Sequence, residues 1–162
     1  MNDSWTITET PIDHPDSRLI IREYIAEIAA RYWGRPVTEA EVDMALTEDP
    51  IDDLVAPTGT FLIARMSDAT MTGCVGTRVE QPGLGVLKRM YVRPGHRGNG
   101  AGALLVAAAE DAARALGATV MRLDTRDDLV EARALYARTG YTEVEPFNND
   151  KYAEHWFSKN LT

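Results

Sequence analysis

The stretch KRMYVRPGHRGNGAGALL, residues 88–105, restricts the folds open to this chain more than any other. A β-type run breaks at Pro94, passes through a turn with glycines at 95, 98, 100 and 102, and restarts as a helix rich in alanine and leucine. Proline removes a ladder donor and glycine accepts positive φ, so the run must stop and turn there. The helix, over about 100–116, ends at Gly117, and a second β-type run, TVMRLDT, covers 119–125. Two strands joined through a helix in this way lie parallel, because the crossover carries the chain back before the second strand begins. The rest of the chain has to pack around that unit.

The flanking segments alternate between strand and helix. Residues 5–9 (WTITE) read as a short strand, and 17–31 carry a helical stripe at Leu19, Ile20, Tyr24, Ile25 and Ile28. Thr38 and Glu41 form a capping box that opens a second helix through about Glu48. Three strands follow at 61–66, 71–79 and 85–92, separated by short turns, which predicts an antiparallel meander. Beyond 125, Asp128 and Glu131 are expected to cap a helix over 129–138 that stops at Gly140. Strands near 141–145 and 154–159 close the chain. The predicted fold is α+β: one three-layer α/β/α domain over 1–162, built on a mixed, mostly antiparallel sheet.

With 162 residues, 44% of them hydrophobic, the chain can bury one proper core. A net charge of −8 argues against a general nucleic-acid binder, which needs basic surface. No apolar run approaches a membrane span, and MNDSWTITET lacks a basic segment followed by an apolar one, so the expected location is the cytoplasm. Cys74 is the only cysteine, which rules out an intrachain disulfide or a cysteine-based zinc site. His14, His96 and His155 show no metal-ligand spacing, and no metal is expected.

The charge pattern around the glycine turn is more specific. The chain carries 25 acids, yet none falls between Glu80 and Glu110, an interval that holds Lys88, Arg89, Arg93, His96 and Arg97. A helix N-terminus adds free N–H donors and partial positive charge, so the turn reads as a phosphate cradle. A nucleoside-triphosphate loop requires Gly-Lys followed by Ser or Thr, and Gly-Ala-Gly-Ala fails that test. The glycine spacing also misses the dinucleotide fingerprint.

Arg97-Gly98-Asn99-Gly100-Ala101-Gly102 resembles the R/Q-x-x-G-x-G/A motif of the GNAT N-acetyltransferase superfamily. LKRMYVRP before it, RLDT in the next strand and ARALYARTGY beyond extend the resemblance in order and spacing from about residue 60 to the C-terminus. The N-terminal part matches only in its two-helix layout. The resemblance implies that residues 97–102 hold the pyrophosphate of acetyl-CoA and that Met90, Tyr91 and Val92 offer backbone groups to its pantetheine arm. It implies transfer of the acetyl group to a primary amine of a small molecule or a protein, and a homodimer as a family-level expectation. This chain has Leu129 where many relatives have an asparagine, and Val86 where many have a glutamate that is in some of them the general base. A non-catalytic acyl-CoA sensor and a transferase for another acyl group are therefore rival readings.

Acetyl transfer needs an uncharged amine, a polarised thioester and a protonated leaving thiolate. Deprotonating an alkylammonium at neutral pH costs about 4–5 kcal/mol, which calls for a base or a water chain. The family pattern points to the N–H of Val92 or a neighbour as the donor that polarises the thioester carbonyl. It also places Tyr136 beside the sulfur as general acid, although spacing alone would only pack it with Leu135 and Ala132. Glu80, Asp124 and His155 are the candidate bases. Cys74 reads as a small buried side chain rather than a nucleophile. Two segments are expected to shape the acceptor pocket: Tyr32–Pro36, with Trp33, and Phe147–Asp150, with Asn149.

Overall fold

Strand β2 (Gly59–Arg65) shows how the layers arise. Successive side chains on a strand point to opposite faces. Phe61 and Ile63 join a core with Ile20, Ile21 and Ile25, whereas Leu62 and Ala64 join another with Leu105, Val106 and Ala109. A strand buried on both faces requires helices on both sides of the sheet. Fully burying a side chain such as Ile63 or Leu105 contributes roughly 1.5–3 kcal/mol, and both are 0% exposed.

The computed structural model describes residues 5–162. The remaining elements are β1 (Thr6–Glu9), α1 (Pro15–Trp33), α2 (Glu39–Glu48), β3 (Met71–Gln81), β4 (Leu84–Val92), α3 (Ala101–Ala115), β5 (Val120–Thr125), α4 (Val130–Arg138), β6 (Thr142–Val144) and β7 (His155–Asn160). They form one seven-stranded sheet in the order β1-β2-β3-β4-β5-β7-β6. Only the β4–β5 pair is parallel, as the crossover through α3 demands. Helices α1 and α2 cover one face of the sheet and α3 covers the other, giving the three layers.

The capping box of Thr38 and Glu41 is present at the start of α2. The cap expected from Asp128 and Glu131 is not. Leu129 occupies the cap position of α4 without a side-chain bond, because both acids are engaged by arginines. Asp128 receives Arg126 Nε at 2.8 Å, and Glu131 is paired with Arg31 of α1. Glu110, the acid that ends the basic interval, is buried in α3 and accepts from Lys159 Nζ at 3.0 Å and Tyr141 Oη at 2.8 Å. Pairing makes a buried charge tolerable, and here it ties the crossover helix to β7.

Two irregularities open the sheet where the site lies. Pairing of β4 with β5 stops after Val86, so the strands diverge toward Val92 and Thr125. Opposite Val75, β4 carries a bulge in which Arg89 adopts φ +56°. Positive φ is strained for a side chain as large as arginine. Two contacts hold it there: Arg89 Nη2 donates to Asp49 O at 2.5 Å and pairs with Asp49 Oδ2 at 3.2 Å.

Candidate active site

A cavity of about 460 Å³ fills the gap between β4 and β5. Because it passes through the sheet, it receives side chains from both layers, including Tyr24 of α1 and Tyr136 of α4. Of the residues expected from sequence, Met90, Tyr91, Val92, Arg97, Gly98, Gly100, Ala101, Gly102 and Tyr136 line it, while Asn99 is exposed and does not.

Backbone groups form the end of the cavity at the start of α3. Gly100 is the cap residue of α3 at φ +90° and makes no side-chain cap bond, so the first N–H groups of the helix are left without intrahelical partners. A Cβ on Gly102 would stand 3.0 Å from Leu135 Cδ2, so a side chain there would have to displace the tip of Leu135 where α3 approaches α4. On β4, Arg93 N–H donates to Thr72 O at 2.8 Å while Val92 lies opposite Gly73. Hydrogen-bonded positions alternate along an antiparallel pair, so the N–H and C=O of Val92 point away from β3 into the gap. The Val92 carbonyl accepts Arg97 Nε at 2.7 Å, which leaves the N–H facing the cavity. An uncapped helix start, open glycines and a free strand N–H suit a diphosphate followed by an amide-bearing arm.

The basic turn is less bare than its sequence suggests. Glu23 and Glu27, one turn apart on α1, take Arg93 and Arg97: Arg93 Nη2 lies 2.7 Å from Glu23, and Arg97 Nη2 lies 2.7 Å from Glu27. The missing acids come from a helix about 70 residues away in sequence. Arg31, one turn beyond Glu27 on α1, reaches across to Glu131 of α4.

Tyr136 is 5% exposed, and its ring lies 6.0 Å from those of Tyr141 and Phe157. Its hydroxyl has no hydrogen-bond partner among the described residues, so the proton is uncommitted at the cavity wall. Burial pushes the phenol well above its ordinary value, so it stays protonated through the neutral range. Tyr24, read from the sequence only as part of a core stripe, lines the same cavity, and burial raises its pKa as well.

The three candidate bases separate cleanly. Glu80 pairs with Arg78 at 2.6 Å at the far end of β3, away from the cavity. His155 is clasped between Asp127 and Glu143 at 2.8 and 2.6 Å, and these carboxylates raise its pKa and favour the imidazolium. Asp124 lines the cavity. Burial raises its pKa, and a hydrogen bond from Asn148 and the charge of Lys88 act in opposition. Cys74 is buried outside the cavity and its thiol is pushed far up by burial.

A second cavity of about 270 Å³ shares Ile28 and Arg89 with the first. Trp33 lines it, together with Tyr32, Tyr152, Glu48, Asp49 and Arg126. Tyr32 meets both Trp33 and Tyr152 edge-on with centroids 5.1 Å apart. Asn149 is exposed and lines neither cavity; its neighbour Asn148 turns inward to Asp124 instead.

Residues 22–141 match the acetyltransferase (GNAT) family. An uncharacterized N-acetyltransferase of Schizosaccharomyces pombe is 35% identical over 147 residues, 90% of this chain and 86% of that one. The fold matches an acetyltransferase of the GNAT family from Staphylococcus aureus with a TM-score of 0.78 at 19% identity, covering 98% and 99% of the two chains. It also matches the PaiA N-acetyltransferase of Thermoplasma acidophilum in complex with coenzyme A, with a TM-score of 0.73 at 17% identity over 97% and 99%. The chain belongs to the GNAT acetyltransferase family. It is an acyl-CoA-dependent N-acetyltransferase that acts on an amine acceptor.

Proposed function

We propose that this enzyme transfers an acetyl group from acetyl-CoA directly to a primary amine, with Asp124 as general base and Tyr136 as general acid. One observation carries the reading. A single cavity joins the uncapped start of α3, the free Val92 N–H, the uncommitted Tyr136 hydroxyl and the half-buried Asp124 carboxylate. The helix start and the glycine turn would hold the diphosphate, and backbone groups of Met90, Tyr91 and Val92 would align the pantetheine arm. When bound, the thioester supplies an activated acyl group.

The residues then divide the proton work. The Val92 N–H, directed into the cavity, would stabilise negative charge developing on the thioester oxygen. Asp124 accepts the proton of the attacking amine, and a carboxylate with a raised pKa is a better base than an ordinary one. Tyr136 donates its proton toward the sulfur; its raised pKa keeps that proton available at neutral pH. The acceptor would enter through the second cavity, with its body against Tyr32, Trp33 and Tyr152 and its amine directed past Arg89 toward Asp124. We assign the reaction to the cytoplasm; no helix among the described residues is long and apolar enough to cross a membrane.

Thiol release from acetyl-CoA across a panel of small amines and lysine peptides tests this reading. Release with at least one amine, lost in Asp124→Asn and Tyr136→Phe, is expected. Release that survives both substitutions would reject the assignment.

A further inference from the structure

Asp124 is held by a short chain of hydrogen bonds that plays no part in binding acyl-CoA. Asn148 Nδ2 donates to Asp124 Oδ2 at 2.9 Å. Asn148 Oδ1 accepts from Trp156 Nε1 at 2.9 Å and from the backbone N–H of Asp150 at 3.3 Å. An indole and a backbone amide can only donate, so the asparagine oxygen must face them and its NH₂ must face Asp124. The amide orientation is thus dictated by its surroundings. Among the described residues Asn148 is the one neutral donor to the Asp124 carboxyl, the Asp150 side chain stands within hydrogen-bonding reach of it as well, and Asp124 lines the cavity.

The arrangement also explains the residue type. Asn148 lies in the irregular segment between β6 and β7, whereas Asp124 and Trp156 face each other on β5 and β7. A side chain that accepts at one end and donates at the other is needed to bridge them. Aspartate at this position would accept from Trp156 but set a second carboxylate against Asp124. Alanine would leave the indole N–H and one lobe of Asp124 unpaired.

We propose that Asn148, pinned by Trp156, is a positioning residue that orients the Asp124 carboxylate for the acceptor amine. The inference rests on the reading of Asp124 as the base. The charged and titratable groups around Asp124 come from each element packed on it: Lys88 on β4, Tyr136 on α4 and Asp150 in the segment before β7. Asn148 favours the ionised carboxylate, while burial and Asp150 oppose it. Removing the amide therefore moves Asp124 toward its protonated form.

The test is a titration of the Asp124 carboxyl carbon by NMR in aspartate-labelled full-length protein, assigned by its loss in Asp124→Asn. It needs no acceptor. Asn148→Ala is expected to move the midpoint to higher pH, and Asn148→Asp, which keeps the volume and the Trp156 bond, to move it further. The Trp156 indole N–H resonance should shift in Asn148→Ala and stay near its place in Asn148→Asp. With the amine that releases thiol fastest, the acid limb of kcat/KM should follow the titration midpoint, and activity at neutral pH should fall about tenfold or more, the scale of a hydrogen bond to a charged group. An unmoved Asp124 midpoint in Asn148→Ala, alongside a shifted indole signal, would overturn the positioning role even if Asp124→Asn is inactive. Full thiol release in Asp124→Asn would remove the base and this inference together.

Discussion

The two halves of the candidate site are built from different materials. The proposed cofactor side is mostly backbone: a strand that loses its partner after Val86, an uncapped helix start at Gly100, and the free N–H of Val92. The proposed acceptor side is side chains from segments far apart in sequence. Arg126 lies over Tyr32, Tyr32 meets Tyr152, and Asn148 links Asp124 to Trp156. A backbone-built site tolerates almost any side chain that leaves its glycines alone, whereas a side-chain-built site can be retuned residue by residue.

The sharpest way to break the comparison is at Asp124, where the two halves meet. Asp124→Asn is expected to lower kcat by about 10²–10⁴-fold, the range for a general base, with acyl-CoA affinity by calorimetry unchanged. The pH profile gives a second handle. Burial raises the Asp124 pKa, so its base form is lost as pH falls through a value above that of an ordinary aspartate. The acid limb of kcat/KM should lie correspondingly high and disappear in the variant. A limb at or below the ordinary aspartate value would contradict the assignment.

Tyr136→Phe probes the same junction from the other layer. It should reduce kcat by about 10²-fold, with the melting temperature nearly constant, because the hydroxyl has no protein partner to lose. A fall in melting temperature with kcat intact would make Tyr136 a packing residue.

On the cofactor side the charge pairs predict effects of opposite sign. Arg97 serves Glu27 as well as the Val92 carbonyl. Arg97→Ala should weaken acyl-CoA by about 1.5 kcal/mol, the low end for a charged hydrogen bond, since part of its capacity is already spent. Glu27→Gln should tighten binding by freeing the guanidinium for phosphate. Calorimetry showing weaker binding in both variants would mean that Glu27 orients Arg97 rather than competes for it.

What the sequence revealed follows the same divide. Gly95, Gly98 and Gly100 all adopt positive φ, and such constraints leave glycine and proline in the sequence where anyone can read them. Strand and helix order was legible for a similar reason: period-2 and helical stripes are local. Side-chain partnerships are not. Nothing near Arg93 and Arg97 announces that Glu23 and Glu27 will neutralise them, and Asp128 resembles a helix cap until Arg126 takes it. In Asn148-Asn149-Asp150 composition marks a turn, but only the fold shows that Asn148 faces inward. Tyr24 sat within a stripe of isoleucines, where periodicity reports burial and cannot report a neighbouring gap in the sheet.

The smallest expected effect concerns His155, which chemistry alone would nominate as a base. It bridges Asp127 and Glu143 outside the cavity, and these carboxylates raise its pKa above the ordinary 6.5. A histidine with a raised folded-state pKa contributes stability that is fully present below its unfolded value and fades as pH rises through the folded one. His155→Gln should therefore lower the melting temperature more at pH 6 than at pH 9. The loss should amount to at most about 1 kcal/mol, as for an ion pair near the surface. Because His155 lies outside the cavity, kcat and the acid limb assigned to Asp124 should stay where they are. A large loss of kcat at unchanged melting temperature would move the base to β7 and merge the two halves that the structure keeps apart.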